Sequence, residues 1–482
     1  MGLARSRCST VGRGTLDRVS GEPDHLTTAA DRRLAIIGGG MGGVSAAYFC
    51  DPDWTIELFE ARPTLGGNAS TLRVSDDGEE VPVDIGAESF HPGTHPLYWA
   101  LLHEIGAIQP TNRADDMRIT MPGRLSIFDS TTRGSLFVSS HALRTPAYAV
   151  SFALFARAAQ RFVADDPSFD VTVGDWIERL RMDRTFKNDV LLPWLASLTC
   201  CSVDMVTTQS ALAFLLLFVH IFPRNILRRP GTYCSSIGLG GILEMMVDRC
   251  SHLTIHAGAA VSKLERMDGA WFVETAGGRH GPYAKVVVNA PPHASRSFLG
   301  TQPAELLDIL ARHTYYTARM LIHRDPIYMP ADRRDWCSHN AAVHGDTCEA
   351  SIWLGSFRTN PRTGRPVQLF KSWASNRPVE PAEVLAEQTF LHPSLSPDTL
   401  RATQELVRWQ GRDGLFFTGH FTTLTDLQET ALYSGLSVAR TLSPTSTSVR
   451  ALEQRLASDG HAAVSYAVED APAVRCSPGV RS

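Results

Sequence analysis

Residues 33–67 read RLAIIGGGMGGVSAAYFCDPDWTIELFEARPTLGG, and this stretch decides the fold. Leu34 to Ile37 is a short apolar run, as a buried parallel strand requires. It leads directly into Gly38-Gly39-Gly40-Met41-Gly42-Gly43, which fits G-x-G-x-x-G at Gly38, Gly40 and Gly43. Val44 to Cys50 is small and apolar, suited to the helix that follows. Thr55 to Phe59 alternates as a second strand and ends at Glu60, 22 residues beyond Gly38. An acid about 20 residues on can hold a ribose hydroxyl. The three glycines permit a tight turn, close approach of a pyrophosphate and close helix–strand packing. The helix then directs free N–H groups and its positive end at the phosphates.

Working outward, Arg62-Pro63-Thr64-Leu65-Gly66-Gly67-Asn68 brings paired glycines where the backbone can pass close to a second phosphate or a ribityl chain. Leu72–Val74 and Val81–Asp84 form a hairpin around Asp76-Asp77-Gly78. Pro96–Ile105 has helical apolar spacing. Residues 116–138 are short alternating strands, and 150–222 are mostly helical, so the chain leaves the α/β pattern there. The pattern returns at 231. Gly238-Leu239-Gly240-Gly241 opens a helix, His252–Ile255 is a strand, and Ala260–Arg266 with Trp271–Thr275 bracket a turn at Asp268-Gly269. Val286–Asn289 is another strand. Arg319–His323, Ser351–Leu354 and Val367–Trp373 belong to an antiparallel sheet. Gly414 to Gly419 runs a strand into glycine, ahead of a helix over 428–442.

The predicted class is α/β: a discontinuous Rossmann-type domain with a second lobe of mixed sheet and helices. The nucleotide-binding domain is expected from residues 32–110, 225–297 and 405–443. The substrate domain is expected from 111–224 and 298–404. Residues 1–31 read as a disordered tail, as does most of 444–482 apart from a short helix at 448–457. Met1 to Ser6 formally fits a myristoylation pattern, with a disordered tail as the alternative.

The 482 residues exceed what one simple core needs. A hydrophobic fraction of 43% with 20% charged residues is ordinary for a globular protein. A net charge of −4 gives no case for nucleic-acid binding. The nine cysteines are odd in number and include no C-x-x-C pair, which speaks against a disulfide framework or a zinc site and suits a reducing, cytoplasmic setting. No metal is expected. The longest apolar run, Ala211–Phe222, is too short to span the ~30 Å hydrocarbon core as a helix. It reads as a buried helix beside an apolar pocket, so no integral membrane segment is expected.

The motifs GGGMGG, ELFEARPTLGGNAS, VDIGAESF (83–90), GLGGI (238–242), VVVNAPP (286–292) and GLFFTGH…QETALYSGLSVA (414–439) resemble, in that order, the FAD-dependent amine oxidase superfamily. HRDPIYMPADRRDWCSHN (323–340) and Trp373-Ala374-Ser375-Asn376 are similar to a bacterial amine-oxidase-like subgroup of NAD/FAD-binding proteins. The resemblance spans residues 33–443 and implies FAD as the cofactor and a small-molecule substrate. It implies that Gly38, Gly40, Met41, Gly42 and Gly43 meet the pyrophosphate and that Glu60 holds the adenosine ribose. Arg62, Gly66, Gly67 and Asn68 would line the phosphate and ribityl path. Gly86, Ala87 and Glu88 would run beside the flavin ring, and Val261 would present its backbone to adenine. Gly419, Glu429, Thr430 and Ala431 would cover the pyrophosphate and flavin from the C-terminal side. Three departures stand out: His420 where many relatives have an acid, Asn68 where many have Arg, and Leu427-Gln428 where a glycine often precedes the last helix.

The implied chemistry is hydride transfer from a substrate C–H to flavin N5. Many relatives use a lysine near N5; of the four lysines, Lys371 is the candidate, with an exposed strand lysine as the alternative reading. His420 is the second catalytic candidate, against a structural histidine. Cys200-Cys201 reads as buried thiols, and Trp194, Phe214, Phe218 and Trp373 as core rather than an aromatic cage. No G-x-S-x-G or H-E-x-x-H motif occurs. Three functions stay open: an amine or amino-acid oxidase; a desaturase, isomerase or reductase of a lipid- or isoprenoid-like molecule; and a non-catalytic flavoprotein.

Overall fold

The structure is a computed structural model that describes residues 32–107, 111–113, 117–120, 128–130, 146–165, 168–217, 232–461, 464 and 466. The expected N-terminal tail, Phe218 with the end of the apolar run, most of 121–138 and residues 467–482 lie outside the described residues.

Five parallel strands build the first sheet, in the order Leu253–Ala257, Thr55–Glu60, Arg33–Ile37, Lys285–Val288, Leu415–Phe417. The central strand is covered on both faces, and Leu34, Ala35 and Ile36 are fully buried. That is why it reads as an unbroken apolar run instead of an alternation. One face carries the helices Met41–Phe49, Pro96–Glu104, Gly238–Val247, Gln428–Leu442 and Thr447–Ser458, sharing one core. The other carries an antiparallel meander (Val261–Met267, Ala270–Thr275, Gly278–Tyr283) and the helices Ala304–Ala311 and Pro397–Leu406.

The second lobe is a seven-stranded sheet, ordered Val384–Pro393, Tyr315–His323, Phe370–Trp373, Thr347–Trp353, His339–His344, Met117–Thr120, Phe128–Ser130. Its pairs are antiparallel except His339–His344 with Met117–Thr120. Helices between 146 and 216 cover one face, and Phe155, Trp176, Trp194 and Phe214 fill that core with Ile119, Ala341 and Ala350. Trp373 is buried in a separate cluster. Trp194, Phe214 and Trp373 are therefore core, and Ala211–Leu216 is a buried helix.

Chain connectivity and packing diverge at three places. The hairpin Thr71–Asp76/Glu79–Asp84 belongs by sequence to the first lobe. Yet Val74, Val81 and Val83 pack on Ala318, Met320, Ile322 and Trp373 of the second. Its other side caps the helix Gly238–Val247: Asp84 Oδ1 accepts from Leu239 N (2.9 Å) and Thr71 Oγ1 from Gly240 N (2.7 Å). The hairpin is the seam between lobes. Second, residues 298–311 and 397–404, expected in the substrate domain, place Phe298, Leu306, Ile309, Leu310 and Ala402 in the core behind the parallel sheet. Third, the helix Thr447–Ser458 buries Val449, Leu452 and Leu456 against the first lobe and so extends it past 443. Amphipathic faces set these boundaries, and they are invisible to motif spacing. No described helix is long and apolar enough to cross a membrane.

Candidate functional site

The strand Arg33–Ile37 ends at Gly38, whose φ is +105° and where a Cβ would lie 2.9 Å from Ala290 N. Only glycine satisfies both. Gly39 then makes two ties: its N–H donates to Glu60 Oε2 (2.7 Å), and its carbonyl accepts from Gly66 N (2.9 Å). Gly43 faces Gly38 O, which a Cβ would meet at 2.2 Å. Gly42 faces Asn289 Oδ1 at 2.6 Å and Gly419 N at 3.0 Å in the same sense. Gly40 differs. A Cβ there would meet only Asn289 Nδ2 at 3.1 Å and Gly66 O at 3.8 Å, so its outer side opens on free space. The helix Met41–Phe49 begins there with no side-chain cap and no acid in its first turn. Its leading N–H groups have no intrahelical acceptor, and an anion suits them. Met41 is buried behind this turn.

The second glycine run is different. The start of the helix Gly238–Val247 is already taken by Asp84 and Thr71, and a Cβ on Gly238 would strike Thr71. Those glycines serve packing.

Glu60 is 8% exposed. Its other oxygen accepts from Arg62 N (2.8 Å), and its carbonyl accepts from Ala259 N (2.8 Å). The second tie brings the chain leading to Val261 alongside Glu60. The Arg62 side chain is exposed, with Nη1 3.4 Å from Gly67 O. Gly67 lies 3.6 Å from Gly40 Cα, measured from its ideal Cβ position. Asn68 closes the path toward the second lobe: its carbonyl accepts from Ala87 N (3.0 Å) and sits where a Gly86 Cβ would be, at 2.2 Å.

Lys371 enters from the second lobe. Its Nζ donates to Gly86 O (2.6 Å) and lies 3.6 Å from Glu88 Oε2, with the two side chains 5% and 2% exposed. The reading of an exposed strand lysine is thus overturned. The sheet inserts Lys371 between lobes because its strand is central, flanked by Tyr315–His323 and Thr347–Trp353.

On the C-terminal side, Gly419 N donates to Ser434 Oγ (2.8 Å), which docks the turn on the helix Gln428–Leu442. The Glu429 side chain, expected over the pyrophosphate, serves another helix. It accepts from Leu97 N (2.9 Å), Tyr98 N (2.7 Å) and Tyr466 Oη (3.0 Å), capping the helix Pro96–Glu104, whose own N-cap supplies no side-chain bond. Burial pushes its carboxyl up to about 8 despite those donors. Thr430 is likewise used locally, its hydroxyl bonding Thr425 O (2.8 Å) and Leu427 O (3.0 Å). What Glu429 and Thr430 can offer a ligand is the backbone N–H groups of a helix start, whereas Ala431 N already donates to Leu427 O (3.0 Å).

At the junction, Tyr315 Oη is 3.1 Å from His420 Nε2, and Tyr316 stacks on His392 with centroids 5.6 Å apart. His392 is the register partner of Tyr316 on the neighbouring antiparallel strand. Burial pushes the histidines, Asp426 and the two tyrosines there toward their neutral forms. His420 falls to about 4, with His293 adding a smaller effect; His392 falls, while Asp426, Tyr315 and Tyr316 rise. The Cys200 and Cys201 thiols are pushed up to about 12 and about 11, also by burial, and are inert nucleophiles at neutral pH. Cys50, Cys200, Cys201, Cys250 and Cys348 are free thiols.

Sequence reasoning missed Asn289, which ties Gly38 O (3.1 Å) to Thr418 Oγ1 (3.2 Å), along with Ser434, Tyr315, His392 and Asp426. Asn289 follows the strand Lys285–Val288 within the quoted VVVNAPP and was findable. His392 and Asp426 carry no motif.

Residues 36–105 match the NAD(P)-binding Rossmann-like domain family. No curated protein matches the chain. Among solved structures, a putative protoporphyrinogen oxidase from Exiguobacterium sp. 255-15 is similar at 16% identity and TM-score 0.62, over 85% of this chain and 98% of that one. A CLA-producing fatty acid isomerase from P. acnes is similar at 12% identity and TM-score 0.63, over 85% and 99%. Putrescine oxidase with bound putrescine gives 12% and 0.60, over 85% and 98%. Residues 36–105 therefore form a Rossmann-like domain, and the chain shares the fold of these solved proteins.

Two outcomes follow from this geometry. Gly40→Val fills the open side of the turn without striking backbone, so the variant folds with an unchanged circular dichroism spectrum and loses retention of its dinucleotide; full occupancy would refute the assignment. His420, ordinarily near 6.5, sits near 4 in the folded chain. Between those values the unfolded chain binds the extra proton, so the stability gained by keeping His420 neutral is complete above pH 6.5 and is lost as pH falls toward 4. Urea titrations from pH 4 to 7 therefore give a shallower pH slope in His420→Asn, by up to one proton; parallel slopes would contradict the burial.

Proposed function

We propose that the chain is an FAD-dependent oxidoreductase that oxidises or desaturates a small organic substrate by hydride transfer. The observation that supports this most strongly is the continuity of the path. Gly39–Gly40 touches Gly66–Gly67, Asn68 touches Gly86–Ala87, and at that end Lys371 arrives from the second lobe. A path running past the pyrophosphate turn into the seam between lobes is what a long dinucleotide with a reactive ring at its far end requires.

The residues fit the cofactor chemically. The uncapped start of the helix Met41–Phe49 suits the pyrophosphate, Glu60 the ribose hydroxyls, and the carbonyl-lined run at Gly86 the ring edge. Bound FAD would supply the hydride acceptor that no side chain here can provide. Lys371 fixes the Gly86 carbonyl and holds the seam closed at Glu88. Tyr315 orients His420 by their hydrogen bond. The neutral histidines and tyrosines keep charge low beside His420, which suits a substrate in its uncharged form and disfavours charge left uncompensated there. A neutral amine or an apolar C–H donor satisfies that condition; solved proteins of this fold include putrescine oxidase and a fatty acid isomerase.

Amine oxidation is the first reading. The apolar run weighs less for a lipid than its sequence suggests, because Ala211–Leu216 is packed into the core. Anaerobic mixing of the flavin-loaded protein with a panel of amines and apolar C–H donors tests the proposal. Bleaching by an amine, with peroxide released on admitting air, is expected. Bleaching only by apolar compounds moves the assignment to the desaturase class, and no bleaching by any compound would leave a non-catalytic flavoprotein.

A further inference from the structure

The strand Thr55–Glu60 serves the dinucleotide through Glu60, but it presents a second acid. Glu57 and Phe59 alternate onto the same face of the sheet, toward the meander. On the adjacent parallel strand, His256 pairs in register with Phe59. From the meander above, His280 comes down on the same spot. One ligand atom of each of Glu57, His256 and His280 lies within 4.8 Å of the others.

We infer that Glu57, His256 and His280 form a binding site for one divalent cation of the zinc class, which staples the meander to the parallel sheet. Two imidazoles and a carboxylate suit borderline cations such as Zn²⁺ or Co²⁺, with water completing the shell. The distances need only a small adjustment. Ligand atoms around tetrahedral zinc stand about 3.3 Å apart. Glu57 Oε2 and His256 Nε2 are already 3.0 Å apart. His280 closes the remainder by a side-chain rotation of the order of 1.5 Å.

The surroundings hold each ligand in place, as metal sites require. Arg33 Nη2 takes Glu57 Oε1 at 2.7 Å, leaving Oε2 to the histidines. The His256 ring is stacked flat on Phe59, with centroids 4.7 Å apart and planes 7° apart. His280 sits edge-on to the same ring at 4.9 Å, and its Nε2 is 3.3 Å from Thr275 Oγ1. The Glu57 and His256 side chains are 17% and 29% exposed, so an ion can reach them from solvent. The Arg33 guanidinium opposes a cation, and sharing the carboxylate between its two oxygens limits that cost. Sequence spacing could not show this site, because its three ligands come from three strands and two sheets.

The test is calorimetric titration of the full chain, stripped of metal by dialysis against chelator, with Zn²⁺. It is repeated with Co²⁺ to read its visible ligand-field bands. One zinc ion per chain is expected, with a rise in the thermal unfolding midpoint. His280→Gln, a half-buried position, should weaken binding by more than about tenfold and abolish both the midpoint shift and the cobalt bands. Glu57→Gln should do the same. Dinucleotide content should stay unchanged in His280→Gln. No zinc uptake by the parent protein at micromolar concentrations, or equal affinity in parent and His280→Gln, would overturn the proposal.

Discussion

The Gly39 carbonyl accepts a hydrogen bond from Gly66 N at 2.9 Å, while the Gly39 N–H donates to Glu60. Much of the first lobe's site depends on this backbone contact between two glycine runs. Gly66 takes a φ of +127° and a Cβ there would lie 2.6 Å from Ala69 O, so only glycine fits, while a Cβ on Gly39 would meet the Leu65 side chain at 2.4 Å. The contact also places the end of one strand, the start of one helix and the end of a second strand around a common space. The Gly42 face of the same helix then receives Asn289 and Gly419, so that pieces separated by more than 350 residues close on one turn.

The seam between lobes obeys a different constraint. A buried lysine amine needs an oxygen partner, and Lys371 finds Gly86 O and Glu88. Arg377 and Glu349, also buried, meet the same need within the second lobe at 3.5 Å. The apolar side chains of the hairpin at 71–84 fill the remaining gap. The charged contact at the seam gives register, and the apolar ones supply most of the adhesion, since a buried pair of charges gains little net stability over well-packed carbon.

The first lobe was legible because its requirements are local. A strand, three glycines, a small-residue helix and an acid at a fixed distance are consecutive in the chain, and each enforces a backbone geometry that few residues allow. Lys371 was singled out by elimination among four lysines, with no sign of the burial that makes it notable. Glu429 shows the opposite failure. Its place in a motif suggested a ligand contact, whereas the helix Pro96–Glu104 lacks a cap of its own and draws that carboxylate. Nothing near Glu429 in sequence reveals a partner 331 residues away. His392 and Asp426 were silent because no motif marks either residue and their burial is set by the fold. The domain boundaries slipped where helices 304–311 and 397–406 turned apolar faces to the parallel sheet, a choice that pattern alone leaves open between two lobes.

The central claim is that the glycine path from Gly38 to Gly86 takes one FAD. It is tested most directly by denaturing the purified, reconstituted protein and identifying the released nucleotide by chromatography. One FAD per chain is the expected result. Release of NAD or NADP instead, or of no nucleotide after reconstitution, would contradict it.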